Sequence, residues 1–89
     1  MRHCTLFLSD IKDKASLHGR IQGALMFPDY YGRNLDALYD CLTDTPEDTE
    51  VVVRGYRQLQ ETLGGYAISM RGVMEKAASE NRHLTVSFL

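Results

Sequence analysis

No stretch of this chain stays apolar for long. Near the N-terminus the longest run of large apolar side chains is Leu6-Phe7-Leu8. A membrane-spanning helix needs about 20 apolar residues, and a secretory leader needs about 7–15. The chain is therefore expected to act in the cytoplasm, with no membrane partner. Cysteine is also scarce: Cys4 and Cys41 are the only two, and no Cys-x-x-Cys spacing exists. A disulfide scaffold of this size carries more, so both are expected as reduced thiols packed like small apolar residues. There is no glycine-rich phosphate loop, no basic helix and no RNA-binding motif. No cofactor and no nucleic-acid partner are expected. His3, His18 and His83 are scattered. His3 and Cys4 are neighbours on a strand and so point to opposite faces, which excludes a direct nucleophile–base pair.

What is present is one small domain. The 89 residues are 44% hydrophobic and 25% charged, an ordinary globular composition. Residues 3–8 read as a buried strand stopped by Ser9-Asp10. Asp13 can cap a helix over 14–26 with Leu17, Ile21, Ala24 and Leu25 on one stripe. Phe27-Pro28 ends it. A loop over 29–33 follows, with Gly32 as the expected turn, and Asn34 can cap a helix over 35–43. The β-branched run at 50–54 suits an interior parallel strand or a sheet covered on both faces. Helices over 56–63 and 66–80, broken at Gly64-Gly65, and a strand over 83–88 complete the chain. Strands separated by helical crossovers pair in parallel. The expected fold is α/β: a single domain over 1–89 with a small three-stranded parallel sheet, order 1-2-3, packed with about four helices.

Charge is unevenly spread. Residues 29–50 hold seven acids (Asp29, Asp36, Asp40, Asp44, Glu47, Asp48 and Glu50) and one base, Arg33, for a net −6 within a chain of net −2. Such a surface attracts basic partners and repels nucleic acid. The helix over 35–43 concentrates the question. At 100° per residue, Asp40 lies about 40° from Asp36, with Tyr39 about 60° and Thr43 about 20° to the other side. Leu35, Leu38, Cys41 and Leu42 fall on the opposite face. Asp36 stands in the first turn, where the helix dipole favours an anion. Asp40 stands in the last turn, where the dipole disfavours it, and it repels Asp36. No Lys or Arg lies three or four positions from Asp40. A local rule broken without compensation points to function. Tyr39, together with Tyr30 and Tyr31 in the preceding loop, adds aromatic surface of the kind enriched at interfaces. The residues alone leave two readings, an interaction surface and a solvated acidic face. Catalysis by the aspartate pair would require a pocket that shifts their acidity, and two carboxylates without further ligands make a poor metal site. No enzyme activity and no metal are expected.

The segment "FPDYYGRNLDALYDCLT", residues 27–43, resembles the signature of the barstar family, intracellular inhibitors of the secreted bacterial ribonuclease barnase. The resemblance is close to residue by residue over these positions and weaker elsewhere. It implies that the second helix and the loop before it plug a ribonuclease active site. Asp40 would enter the phosphate-binding site and Asp36 would be a second inhibitory acid. Tyr30, Tyr31, Asn34 and Thr43 match contact positions, and Tyr39 and Asp44 fall on the same surface. The implied partner is a barnase-like microbial ribonuclease or a related nuclease toxin, bound by a chain that is a monomer when free. The alternative is a divergent immunity or regulatory protein that binds a different toxin, or a non-nuclease partner, through the same helix. Three departures bear on the target. The family's best-known member has Trp where Tyr39 stands and Gly-Trp where Asp44-Thr45 stand. It also has a contacting glutamate on the last helix where an ungapped match puts Lys76, with Glu75 one step away.

Overall fold

A computed structural model describes residues 1–89. The elements run β1 (Arg2–Phe7), α1 (Lys14–Leu25), α2 (Leu35–Thr43), β2 (Thr49–Arg54), α3 (Tyr56–Leu63), α4 (Gly65–Glu80) and β3 (Leu84–Phe88). The three strands form one parallel sheet in the order β1-β2-β3, with Cys4 opposite Val51 and Val51 opposite Val86. The α/β architecture and the strand order expected from the sequence are those of the structure.

Alternation along the strands builds one side of the core. Cys4, Leu6, Thr49, Val51, Val53 and Leu84 are buried on one face of the sheet. Leu17, Ile21 and Leu25 from α1, Leu38 and Leu42 from α2, Leu59 from α3, and Ala67, Met70, Met74 and Ala77 from α4 join them. Burying apolar side chains at about 25 cal/mol per Å² is the main stabilising term for such a layer. The opposite face differs from one of the two arrangements that the β2 run suggested. β2 is the interior strand, but the sheet is covered on one side only. His3, Thr5, Phe7, Arg54 and Thr85 stay exposed there, and Val52 is half-buried between them. A continuous Val run therefore marks the central position of β2 rather than two covered faces. Phe7, expected inside a buried strand, is 57% exposed for the same reason.

Two ends are pinned closely. Gly55, just after β2, has φ +83°, and a Cβ there would lie 2.6 Å from the Ser9 backbone nitrogen. Only glycine lets the exits of β1 and β2 approach this way. Gly32, the expected turn, does not itself take a left-handed conformation. The residue with positive φ is Arg33, at 54°. A Cβ at Gly32 would sit 3.2 Å from Ala37 Cβ, so the glycine lets the loop lie against the start of α2. Likewise α1 stops at Leu25 with Met26 in the left-handed conformation, one residue earlier than the expected helix end. Met26 N–H donates to the Gln22 carbonyl in the manner of a C-terminal cap.

Candidate partner-binding surface on α2

The Asn34 side chain caps α2, accepting from Ala37 N–H at 2.7 Å, and its amide donates to the Gly32 carbonyl at 3.2 Å. Leu38 and Leu42 anchor the inner face and are fully buried, while Leu35 and Cys41 flank them half-buried. At the far end Asn81, itself buried, donates to the carbonyls of Leu42 at 2.9 Å and Thr45 at 3.1 Å, and its oxygen accepts from His83 N–H. The helix is thus held at both ends, and its outward face is fixed in direction. Sequence reasoning missed Asn81; a lone polar residue after a helix carries no signal beyond an ordinary C-terminus.

The structure divides the acidic segment into two groups. Glu47 meets Arg2 at 3.4 Å, Asp48 accepts from His83 Nδ1 at 2.8 Å, and Glu50 accepts from His3 Nδ1 at 2.9 Å. The bond from His83 holds the Asp48 carboxyl below its ordinary range. Asp29, Asp36, Asp40 and Asp44 have no such partner, and all four are exposed. The unpaired acids therefore lie on α2 and the segments bordering it, while the acids nearest β2 are structural.

Beside Asp40 runs an open groove of about 330 Å³. The segment from Leu25 to Tyr30 forms one side, and Asp40, Cys41, Asp44 and Pro46 form the other. Arg2 also reaches the groove. Its guanidinium donates to the Leu25 carbonyl and meets Glu47, so this cation is already committed. Tyr30 is 86% exposed at the rim. Burial, followed by the carboxylates of Asp40 and Asp44, pushes the Cys41 thiol up. A thiol kept protonated in this way is a weak nucleophile. Both cysteines are free, as expected.

The three tyrosines part company. Tyr31 is 5% exposed and faces inward. Its hydroxyl is 2.7 Å from His18 Nδ1, and burial pushes its pKa well above the ordinary tyrosine range. It holds the loop from beneath. Tyr39 is half-buried on the flank of α2 that meets α4. Its hydroxyl donates to Glu80, and Lys76 Nζ lies 5.3 Å above its ring. The Thr43 hydroxyl turns back to the Tyr39 and Asp40 carbonyls at 2.9 and 3.1 Å. Among the expected site residues, Tyr30, Asp36, Asp40 and Asp44 are thus openly presented, Tyr39 and Thr43 sit partly covered at the edge, and Asn34 and Tyr31 carry internal bonds.

No set of three or more His, Cys, Asp or Glu side chains is arranged to hold a metal ion, and no helix is long and apolar enough to cross a membrane.

The model of the family described as "Barstar (barnase inhibitor)" covers residues 1–89. The chain belongs to the barstar family. It is also 39% identical over 83 residues to a Bacillus subtilis (strain 168) protein named "Putative ribonuclease inhibitor YrdF", an alignment spanning 90% of this chain and 89% of that relative. A barstar-family match along the full length brings β1 to β3, and not only the motif at 27–43, within the likeness.

Proposed function

We propose that the chain inhibits a barnase-like microbial ribonuclease by seating α2 and the loop before it in the enzyme's active site. The observation that carries this reading is the set of four exposed carboxylates without cationic partners, with Asp36 and Asp40 on the outward face of α2. A ribonuclease binds a polyanion, so its active site gathers positive charge. Carboxylates held at fixed positions stand in for phosphates there, and aromatic side chains stand in for bases. Membership of the barstar family and the name of the B. subtilis relative support a ribonuclease as partner.

In this reading each residue has a part. Asp40 makes the central contact with the enzyme's cationic groups and Asp36 makes a second. Tyr30 closes over the groove side, Asp44 extends the negative surface, and Tyr39 and Thr43 form the other margin. Tyr31 and Asn34 act from behind by fixing the loop and the first turn. Exposed charges steer encounter more than they add to affinity, and screening over about 10 Å at 0.1 M salt weakens such steering. The barnase–barstar pair is itself the worked case behind these generalisations on hot spots and steering, so its magnitudes belong to that pair and not to this chain. Tyr39, Asp44 and Lys76 depart from the family's best-known member, which favours a ribonuclease whose margin differs from that of barnase. The test is a titration of purified microbial ribonucleases with the chain and with Asp40→Ala. Stoichiometric inhibition that is lost in the variant supports the reading, and equal inhibition by both contradicts it.

A further inference from the structure

The loop before α2 rests on a histidine in the middle of α1. His18 is 1% exposed. Its Nδ1 is 2.7 Å from the Tyr31 hydroxyl and its Nε2 is 2.6 Å from the Tyr66 hydroxyl. The two tyrosines are not equivalent. Tyr31 is buried, and its hydroxyl has no hydrogen-bond partner other than Nδ1. Tyr66 is half-buried, so its own hydroxyl hydrogen has water to bond. This asymmetry sets the direction of the bonds. The Tyr31 O–H donates to Nδ1, which leaves Nε2–H to donate to Tyr66. A proton added at Nδ1 makes both nitrogens donors. Tyr31 would then have to accept, and its own hydrogen would be left without an acceptor in a sealed site, which folded proteins avoid. Nothing around the ring offsets the added charge. Arg33 of the loop opposes it, and Lys14 of α1 lies 4.5 Å from the Tyr66 ring centroid. Cys41 of α2, near Tyr31, is a protonated thiol, and α4 presents only the neutral Tyr66 phenol.

Tyr31 is the inner anchor of the loop. Its backbone N–H donates to the Pro28 carbonyl at 2.9 Å, and its ring packs 5.1 Å from that of Phe27. The exposed Tyr30 precedes it directly, and Asn34, the cap of α2, stands three residues on. We infer that His18 is a positioning residue for partner binding: its neutral imidazole holds Tyr31 and the loop in place, and a proton on it frees the loop and weakens inhibition in acid. This deepens the proposed ribonuclease-inhibitor reading by adding regulation to the same surface, and it rests on that reading. A docked partner keeps the loop in its held position, so binding and protonation of His18 oppose each other. The contribution of His18 to affinity is constant above the free chain's own value, which lies below 6.5. It is lost as pH falls through that value, and the bound chain takes up its proton at a lower pH.

The experiment uses one purified microbial ribonuclease that the chain inhibits. Inhibition constants are measured from pH 8 to pH 5 with the wild-type chain and with His18→Gln, whose amide keeps a donor and an acceptor but takes no proton. Groups that titrate on the enzyme, and His3 and His83 of this chain, act on both alike and cancel in the ratio of the two constants. By pH 5 the wild-type chain should lose about threefold or more in affinity relative to the variant. A constant ratio overturns the inference. Because His18→Gln alters a buried site, NMR of the wild-type chain supplies a readout that does not depend on it. The His18 imidazole should titrate at lower pH in the complex than in the free chain. Tyr30 and Tyr31 signals of the free chain should shift at the His18 midpoint, while those of the core residues Met70 and Met74 stay in place. Equal midpoints free and bound overturn the inference, as does a simultaneous loss of the core signals, which is unfolding and not release of the loop. Asp40→Ala is run in parallel at pH 8. Its loss of inhibition beside a constant His18 ratio overturns only this inference, whereas undiminished inhibition by Asp40→Ala overturns the function proposed above. If no ribonuclease is inhibited at pH 8, that function falls as well, and the free-chain titration alone supports or overturns the hold of His18 on the loop.

Discussion

The Tyr31 hydroxyl lies 2.7 Å from His18 Nδ1, with both side chains sealed from solvent, and on its far side the same imidazole meets the Tyr66 hydroxyl at 2.6 Å. A neutral imidazole offers one donor and one acceptor, and the two hydroxyls use both. This chain of three side chains ties the loop before α2 to α1 and to the start of α4. Tyr31→Phe leaves one buried ring nitrogen without a partner and should cost about 1–3 kcal/mol in urea unfolding. A cost below a few tenths would show that the bond contributes little.

The same histidine sets a pH dependence. Burial, and secondarily the nearby Arg33, hold His18 below its ordinary value of 6.5. The unfolded chain therefore takes up a proton at this site before the folded chain does. Its contribution to stability is present above about pH 6.5 and is lost as pH falls from there through the lowered folded value. Urea midpoints measured from pH 7.5 to 5 should fall, and His18→Gln should flatten that slope. An equal slope in the variant would assign the dependence to other groups.

Asn34 and Asn81 hold opposite ends of α2. Replacing a helix N-cap by alanine costs about 1 kcal/mol, which in a domain of this size lowers the thermal midpoint by about 4–8 °C. Asn34→Ala should show that loss. Asn81→Ala removes donors to two carbonyls and an acceptor for His83 N–H from a buried site, so it should cost more, about 1–3 kcal/mol. If Asn81→Ala proves the milder change, the far end of α2 is held by packing instead.

At Gly55 the left-handed backbone and the approach of Ser9 act together. A left-handed non-glycine residue costs about 1–2 kcal/mol, and a Cβ 2.6 Å from backbone nitrogen forces the strand ends apart. Gly55→Ala should destabilise by about 2 kcal/mol or more. Its two-state unfolding curve read against Gly72→Ala, where a Cβ meets nothing within 4 Å, separates this contact from a general effect of glycine.

Local chemistry made much of this molecule legible. Asp13 and Asn34 cap the helices at which their residue types pointed. The stripe of Leu38 and Leu42 faces the core, and alternation with crossover helices led to the parallel sheet in its observed order. What was not legible depends on residues far apart in the chain. Nothing near Tyr31 signals that it turns inward, because its partners His18 and Tyr66 stand on α1 and α4. Nothing near Glu47, Asp48 or Glu50 shows that Arg2, His83 and His3 pair with them while Asp36, Asp40 and Asp44 stay unpaired. The open face of the sheet was hidden because a Val run reads the same whether β2 is covered on one side or on two.

The central claim is that Asp40 is kept for a partner at the expense of its own helix. It sits in the last turn of α2, four residues from Asp36 and without a cation, so neutralising it should leave the fold intact and raise stability by a few tenths of a kcal/mol. The decisive measurement pairs the urea stability of Asp40→Asn with its inhibition constant against a barnase-like ribonuclease at low and at high salt. The expected result is a fold at least as stable as the parent and an inhibition weakened by orders of magnitude, with the parent's association rate falling as salt rises and the variant's falling less. A variant that loses stability while inhibiting as well as the parent would contradict the claim.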